Sequence, residues 1–277
     1  MKPVMRTSHT LKILYFLFLC CFLAACGGKK DRGPNDIAQD NVEILYNKAK
    51  NALNVGNYSF AIDYYRSLEA NFPYGEYTEQ AKLDIIYALN KSGRTEEAVD
   101  AADVFAKLYP THPNVDYAYY MKGVASFEKK TSKFDRFITG KDLTLRDPQP
   151  YRDSESAFNE LLKRFPNSIY ASDARQRLIF LNNALADREL TIANYYYDKE
   201  TYVATLNRCK TIIYQYETSP AVEEALILME KAYLEMGLTD LAASTHTILV
   251  TNFPEHDAEP LQKSKKSFLA RLNPFSS

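Results

Sequence analysis

Histidine and cysteine are the side chains best suited to bind a metal, attack a carbonyl or move a proton near neutral pH, and the chain has four of each. The histidines stand at 9, 112, 246 and 256 with no pair at ligand spacing, so no metal site is expected. His246 and Cys209 both fall on the inward stripe of apolar helical patterns, where Cys209 takes the slot held by Tyr65 and Phe158 elsewhere. A packed helix histidine and a buried small hydrophobe are the expectations there, not a base and a nucleophile. Serines and acids lie singly along predicted helix faces, and no glycine-rich phosphate loop follows a strand. Without a coupled base and nucleophile no catalytic residue is expected, and the chain reads as a non-enzyme.

Cys26 is the exception, because its chemistry comes from its setting. Lys2, Arg6 and Lys12 precede an apolar run over 13–23, too short to span a bilayer comfortably, and Leu23-Ala24-Ala25-Cys26 follows. The arrangement resembles a bacterial lipobox, which makes residues 1–25 a cleaved signal peptide and Cys26 the lipidation site. It would carry S-diacylglycerol and N-palmitoyl, with no other cofactor. Several acyl chains at about 0.8 kcal/mol per buried methylene would tether the protein permanently. Gly27 in place of Asp favours the outer membrane, by resemblance to sorted lipoproteins, and residues 26–38 read as a flexible tether. Loss of three positive and no negative charges with the signal takes the formal charge from −1 to −4, which leaves no basic footprint for nucleic acid. Cys20 and Cys21 leave with the signal, so Cys209 has no partner for an internal disulfide.

The elements that position everything else come from one recurring skeleton. Gly56, Ala61, Tyr65, Leu68 and Phe72-Pro73 are matched 37 residues later by Gly93, Ala98, Ala102, Phe105 and Tyr109-Pro110. Ser154, Phe158, Leu161 and Phe165-Pro166 hold the same slots, as do Thr205, Cys209, Ile212 and Tyr216-Glu217, and then Gly237, Ala242, His246, Leu249 and Phe253-Pro254. A glycine turn, a small residue for close helix approach and a proline stop describe a helical hairpin, and its repetition describes a tetratricopeptide (TPR) array. The expected fold is all-α: a right-handed TPR superhelix of five helix-turn-helix repeats over 39–272. The repeats lie at about 42–73, 79–110, 116–166, 172–217 and 223–254, and a capping helix at 258–272 carries Leu261, Phe268, Leu269 and Leu272. About nineteen extra residues in the third repeat are assigned to an insertion over 129–151, where Lys129, Lys130, Lys133 and Arg136 make a positive cluster. The fourth repeat is about fourteen residues longer than the 37-residue beat, and its glycine- and proline-free run over 172–197 predicts a lengthened helix.

The chain has 21 Tyr, 15 Phe and no Trp, and most of these rings are expected to fill TPR packing slots. Helix A positions that face the groove of a TPR array fall on Tyr46, Lys50 and Asn54, on Leu83, Tyr87 and Asn90, and on Tyr117, Tyr120 and Phe127. An aromatic wall with interspersed polar groups suits an extended peptide with aromatic side chains.

The run 188–197, Arg-Glu-Leu-Thr-Ile-Ala-Asn-Tyr-Tyr-Tyr, leads to 202–208, Tyr-Val-Ala-Thr-Leu-Asn-Arg. With the lipobox and the five repeats, it resembles the BamD family of outer-membrane assembly lipoproteins, also called competence lipoproteins, over almost the whole mature chain. The resemblance implies a lipid-anchored scaffold on the periplasmic side of the cell outer membrane, part of the BAM complex. Such a scaffold binds the barrel insertase BamA through its carboxyl-terminal repeats, carries BamC- and BamE-type lipoproteins where those exist, and recognises the aromatic carboxyl-terminal signal of unfolded β-barrel proteins. Arg208 matches an insertase-interface arginine of that family, and Tyr195 a tyrosine linked to substrate recognition. The chain departs by placing Tyr202 where relatives often have Trp, and Thr205 in the small-residue slot. A TPR lipoprotein acting on peptidoglycan or in DNA uptake is the alternative reading.

Overall fold

The computed structural model describes residues 41–128 and 147–256, and among these it contains ten α-helices, one short 3₁₀ turn and no strand. The signal peptide, Cys26, the tether, most of the insertion and the predicted capping helix lie outside the described residues. The all-α TPR fold expected from the glycine, small-residue and aromatic-proline beat is the fold observed. The chain divides into two compact units after Thr78.

In the first unit, α1 (Val42–Asn54) and α2 (Tyr58–Asn71) form one hairpin. Asn41 and Asn57 cap them, their side chains accepting from the backbone N–H of Glu43 at 3.1 Å and of Phe60 at 3.4 Å. Leu45 and Ala49 of α1 and Ala61, Ile62, Tyr65 and Leu68 of α2 are the buried stripe, each 0% exposed.

The remaining helices are α3 (Glu76–Lys91), which starts just before the division, α4 (Thr95–Leu108), α5 (Val115–Glu128) and α6 (Gln149–Arg164). They are followed by α7 (Ala171–Asp198), α8 (Tyr202–Gln215), α9 (Ala221–Glu235), α10 (Thr239–Asn252) and the 3₁₀ turn Pro254–His256. One continuous core in the second unit runs from Leu83 and Ile86 to Tyr233 and Ala242. The predicted lengthened helix is α7, a single element of 28 residues. The insertion is shorter at its far end than predicted. Pro148 caps α6 and Pro150 sits in its first turn, where a missing N–H breaks no helical bond, so 149–151 are helical and Tyr151 is a core residue at 8% exposure.

The hairpin turns share one chemistry. At Gly56 (φ +77°), Gly93 (+82°) and Gly237 (+77°) the backbone is left-handed. The turn residue donates three residues back and its successor five residues back, as in Asn57 N–H to Ala52 O at 2.8 Å and Leu238 N–H to Tyr233 O at 2.9 Å. The fourth repeat makes the same turn with a side chain present: Glu200 has φ +57°, and Thr201 N–H reaches Tyr196 O at 2.9 Å. The second helices also end alike. Phe72, Tyr109, Phe165, Tyr216 and Phe253 all lie near φ −130° and donate to the carbonyl four residues back. Proline forces four of them out of the helical region, while Tyr216, followed by Glu217, does so while buried at 5% exposure.

Ala61, Ala98, Ser154 and Thr205 are 0% exposed and Ala242 is 3% exposed, so the small-residue slot is buried in every repeat. Its two hydroxyls are satisfied by backbone: Ser154 Oγ donates to Gly123 O at 2.8 Å, and Thr205 Oγ1 lies 3.4 Å from Ala193 O and 3.3 Å from Thr201 O. Across from Ser154, Gly123 lets α6 approach so closely that a Cβ at 123 would stand 2.6 Å from the Phe158 ring.

A left-handed glutamate carries a steric cost that glycine removes. Glu200→Gly is therefore expected to raise stability by about 0.5–1 kcal/mol and Gly237→Ala to lower it by at least as much. Denaturant midpoints of the two variants check this; a Glu200→Gly midpoint at or below wild type would contradict it.

Candidate functional site

A cleft of about 360 Å³ opens in the second unit among α5, α6 and α7. Phe127 comes from α5, Ser154 and Phe158 from α6, and Asp173, Gln176, Arg177, Phe180 and Leu181 from α7. Spacings of three, four and seven residues put Asp173, Gln176, Arg177 and Phe180 on one face of α7.

Its apolar end is aromatic. Phe127 and Phe180 meet edge to face, centroids 5.8 Å apart at 88°, and Phe127 meets Tyr151 at 5.5 Å and 78°. Phe180 remains 55% exposed, a large apolar surface without cover. At the polar end Asp173 and Arg177 line the cleft and are linked to two phenols outside the lining. Tyr120 stacks on Tyr170 at 4.7 Å and 17°, and its hydroxyl donates to Asp173 Oδ2 at 2.8 Å. Arg177 Nε donates to the same oxygen at 2.5 Å, and its guanidinium lies 5.9 Å from the Tyr120 ring centroid. Burial alone would raise the Asp173 pKa; hydrogen bonds from Arg177 and Tyr120 and the Arg177 charge reverse this and hold it below the ordinary value. Burial, then the bond to Asp173, raises the Tyr120 phenol, and burial followed by Tyr170 and Asp84 raises Tyr117. Both phenols are neutral hydrogen-bonding groups at physiological pH. The Ser154 hydroxyl is committed to Gly123 O and is not an idle nucleophile. The chemistry offered is an aromatic slot beside a guanidinium: binding of an aromatic group and an anion.

The predicted groove residues divide. Tyr117, Tyr120 and Phe127 are half-buried on α5, and Phe127 lines the cleft. Tyr87 is half-buried with Lys91 Nζ 5.5 Å from its ring centroid. Leu83 is not a groove residue: at 2% exposure it belongs to the core of the second unit, on the inward stripe of α3. Asn90 is likewise off any open wall, 4% exposed with Oδ1 lacking a hydrogen-bond partner. In the first unit Tyr46 is half-buried, packing on Tyr65 at 5.8 Å and Tyr77 at 5.3 Å, and Lys50 is half-buried beside Ala49. Asp173, Arg177 and Phe180 were not read from the sequence, although their common helical face was legible in the predicted long helix.

Cys209 is 0% exposed, and burial pushes its thiol up to about 12. His246 Nδ1 lies 3.1 Å from Glu230 Oε2, a carboxylate with a 2% exposed side chain. Among the described residues no cluster of three or more His, Cys, Asp or Glu could hold a metal, and no helix is long and apolar enough to cross a membrane.

Residues 38–249 match YfiO, a family described as outer membrane lipoprotein. The chain belongs to the YfiO family. It is similar to the outer membrane protein assembly factor BamD of Neisseria meningitidis serogroup A, 40% identical over 247 residues, covering 88% of this chain and 92% of the relative. It is also similar to the protein of that name from Xylella fastidiosa strain Temecula1, 34% identical over 97% of this chain and 90% of the relative. The one from Pasteurella multocida is 36% identical over 87% of this chain and 91% of the relative. The likeness read from the 188–208 run and the repeats therefore extends along the chain.

Within this YfiO-family chain, the residues carried over by resemblance lie apart from the cleft. Tyr195 stands fifteen residues beyond Phe180 on α7, about 22 Å along the helix, and is 58% exposed with Lys199 Nζ 5.9 Å from its ring centroid. Arg208, on α8, pairs through Nη1 with Glu189 Oε2 at 2.8 Å, while Arg188 Nη1 holds Glu189 Oε1 at 2.7 Å. Glu189 is 2% exposed and Arg208 half-buried, so the arginine neutralises a buried carboxylate as well as reaching the surface. That bond is the main reason its pKa is raised.

The lowered Asp173 pKa fixes a sign. A carboxylate held below its unfolded value stabilises the fold above about pH 3.9, and that contribution is lost as pH falls through the lowered folded value. Wild type should melt above Asp173→Asn by a constant margin from pH 8 to 5, and the margin should close toward pH 3. A margin that widens on acidification would contradict the assignment. Cys209 should resist a thiol reagent in the native protein and react on unfolding; rapid native labelling would show that its burial is transient.

Proposed function

We propose that the chain is a non-catalytic scaffold lipoprotein of the outer-membrane β-barrel assembly machinery, and that the α5–α6–α7 cleft receives the aromatic carboxyl terminus of an unfolded barrel protein. The supporting observation is the pairing of Phe127 and Phe180, the latter 55% exposed, with Arg177 in one cleft. A terminal aromatic ring would pack on the exposed surface of Phe180 beside Phe127, and the terminal carboxylate would share the Arg177 guanidinium with Asp173. Membership of a family described as outer membrane lipoprotein, and relatives named as assembly factors, agree with this role.

In the same reading Cys26 is acylated and holds the protein to the outer membrane on its periplasmic side. BamA docks on the carboxyl-terminal repeats through a surface that includes Arg208, with BamC- and BamE-type lipoproteins as further partners where they exist. Arg208 has one guanidinium face on Glu189 and a partly exposed remainder, a geometry that would pair with an acidic side chain and set register.

A photo-crosslinker at Tyr120 or Phe180 should capture a peptide ending in phenylalanine. Phe180→Ala should weaken its binding about tenfold, ~1.4 kcal/mol, and carboxyl-terminal amidation should weaken it similarly. Binding indifferent to both changes would remove the cleft from the function. Arg208→Glu should reduce BamA co-purification while Arg208→Lys retains more of it; melting of both variants, measured alongside, separates loss of the interface from loss of the Glu189 pair. Cys26→Ala should release the protein from membranes, and palmitate incorporation into that variant would refute the lipid site.

A further inference from the structure

A second pocket, of about 380 Å³, opens in the second unit among α4, α5 and α6 and shares no lining residue with the cleft. Helical spacing sets its walls. Glu96 and Asp100 stand one turn apart on α4, Lys122 and Ser126 one turn apart on α5, and α6 contributes Asp153 and, four residues on, Ala157. Glu96 and Asp100 are exposed and Asp153 is half-buried, while the inner members Ser126 and Ala157 are 4% and 2% exposed. The cation of the lining is already engaged from outside: Lys122 Nζ lies 2.6 Å from Asp103 Oδ1, which is not part of the pocket. Asp153 Oδ1 accepts from Gln149 Nε2 at 2.7 Å, and Asp100 has no ion-pair or hydrogen-bond partner among the described residues. The Ser126 hydroxyl has none there either. Thr191, Thr211, Ser244 and Thr247 each donate to the carbonyl four residues back, yet Ser126, more deeply buried than any of them, does not. A buried hydroxyl left in this way is costly until a group in the pocket completes it.

We infer that this pocket binds a guanidinium, the side chain of an arginine on a partner polypeptide. The sign follows from the lining, in which three carboxylates face one lysine whose charge is met by Asp103. The size follows from their separation. Among the described residues no three acids stand close enough to hold a metal ion, so the carboxylates surround the space without converging on one point. A cation that meets both α4 and α6 must itself be extended and carry several donors. A guanidinium offers five N–H donors in one plane, enough to reach Asp100 and Asp153 from opposite edges and to give one bond to Ser126 Oγ, whereas an ammonium is a compact point charge. The volume exceeds that of the guanidinium alone. The remainder fits its aliphatic stem, for which half-buried Val99 and Ala157 supply an apolar wall. The inference is independent of the cleft reading, since the two sites have no residue in common and its test involves neither an aromatic carboxyl terminus nor BamA.

The test is a titration of the full mature chain with acetyl-Gly-Arg-Gly-amide, followed through backbone amide shifts. Saturable shifts at Asp100, Ser126 and Asp153 are expected, with half-saturation in the millimolar range. The citrulline form of the peptide, which keeps the shape and loses the charge, should bind about tenfold more weakly, and the lysine form about threefold more weakly. Asp100→Asn with Asp153→Asn should weaken the arginine peptide about tenfold, while Lys122→Gln, which removes the cation of the lining, should tighten it about threefold. Phe180→Ala at the cleft should leave it unchanged. The peptide series alters nothing in the protein, so it stands as a test whatever the stability of the asparagine pair. Citrulline or lysine peptide binding as tightly as arginine, or no saturable shift at the three residues, overturns the inference. The same shifts produced by magnesium chloride alone assign the pocket to a metal ion and overturn it as well.

Discussion

A fourteen-residue helix is marginal alone in water, so each hairpin of this chain exists because its two helices come close enough to share one dry stripe. The approach is set by a single position per repeat: Ala61, Ala98, Ser154, Thr205 and Ala242, none more than 3% exposed. Where that residue carries a hydroxyl, the fold supplies a backbone carbonyl for it, Gly123 O for Ser154 and Ala193 O or Thr201 O for Thr205. A buried hydroxyl without such a partner would cost more than its small size gains. The left-handed turn before Ala61, Ala98, Thr205 and Ala242, and the aromatic stop after all five, follow from the same demand. Both fix where the second helix begins and ends relative to the first.

This dependence explains what could be read from sequence. Gly56, Gly93 and Gly237 are backbone requirements, and proline after an aromatic residue is a local steric one, so both survive in residue identity and give the helix ends closely. The fourth repeat blurred the pattern because tertiary packing replaced two local signals. Glu200 takes the turn that glycine takes elsewhere, and buried Tyr216 ends its helix without proline. At the third repeat, Pro148 and Pro150 resembled loop residues although both serve a helix start, since proline is tolerated in the first turn and not beyond it.

Site residues were less legible for a related reason. Periodicity says which face of a helix is apolar, not which neighbour covers it. Leu83 and Asn90 stand one 37-residue beat before Tyr120 and Phe127, yet both are covered in the second unit, where Leu83 joins the core. Phe180 has the opposite fate: it is an ordinary apolar residue of a long helix by pattern, and the structure leaves it 55% exposed at a cleft mouth. Asp173 and Arg177 stand one helical turn apart on α7, a spacing common to many surface pairs. Their meaning comes from Tyr120, 53 residues away, whose hydroxyl joins them.

The two charged sites of the second unit follow opposite physical logics. At Glu189 the carboxylate is buried and two arginines hold it, so loss of either partner leaves an expensive charge in a place water cannot easily reach. At Asp173 the carboxylate side chain is 48% exposed and its arginine stands at the edge of an apolar cleft, so exchanging one anion for another at Arg177 costs little desolvation that has not already occurred. The Arg188–Glu189–Arg208 set fixes α8 on α7 and holds Arg208 at one orientation. The Tyr120–Asp173–Arg177 set keeps a guanidinium ordered while its charge can still be shared with an anion entering beside Phe180. The α7 helix carries both sets, and a single rigid rod of 28 residues therefore sets the distance between the surface that would be held by a partner and the cleft that would be filled.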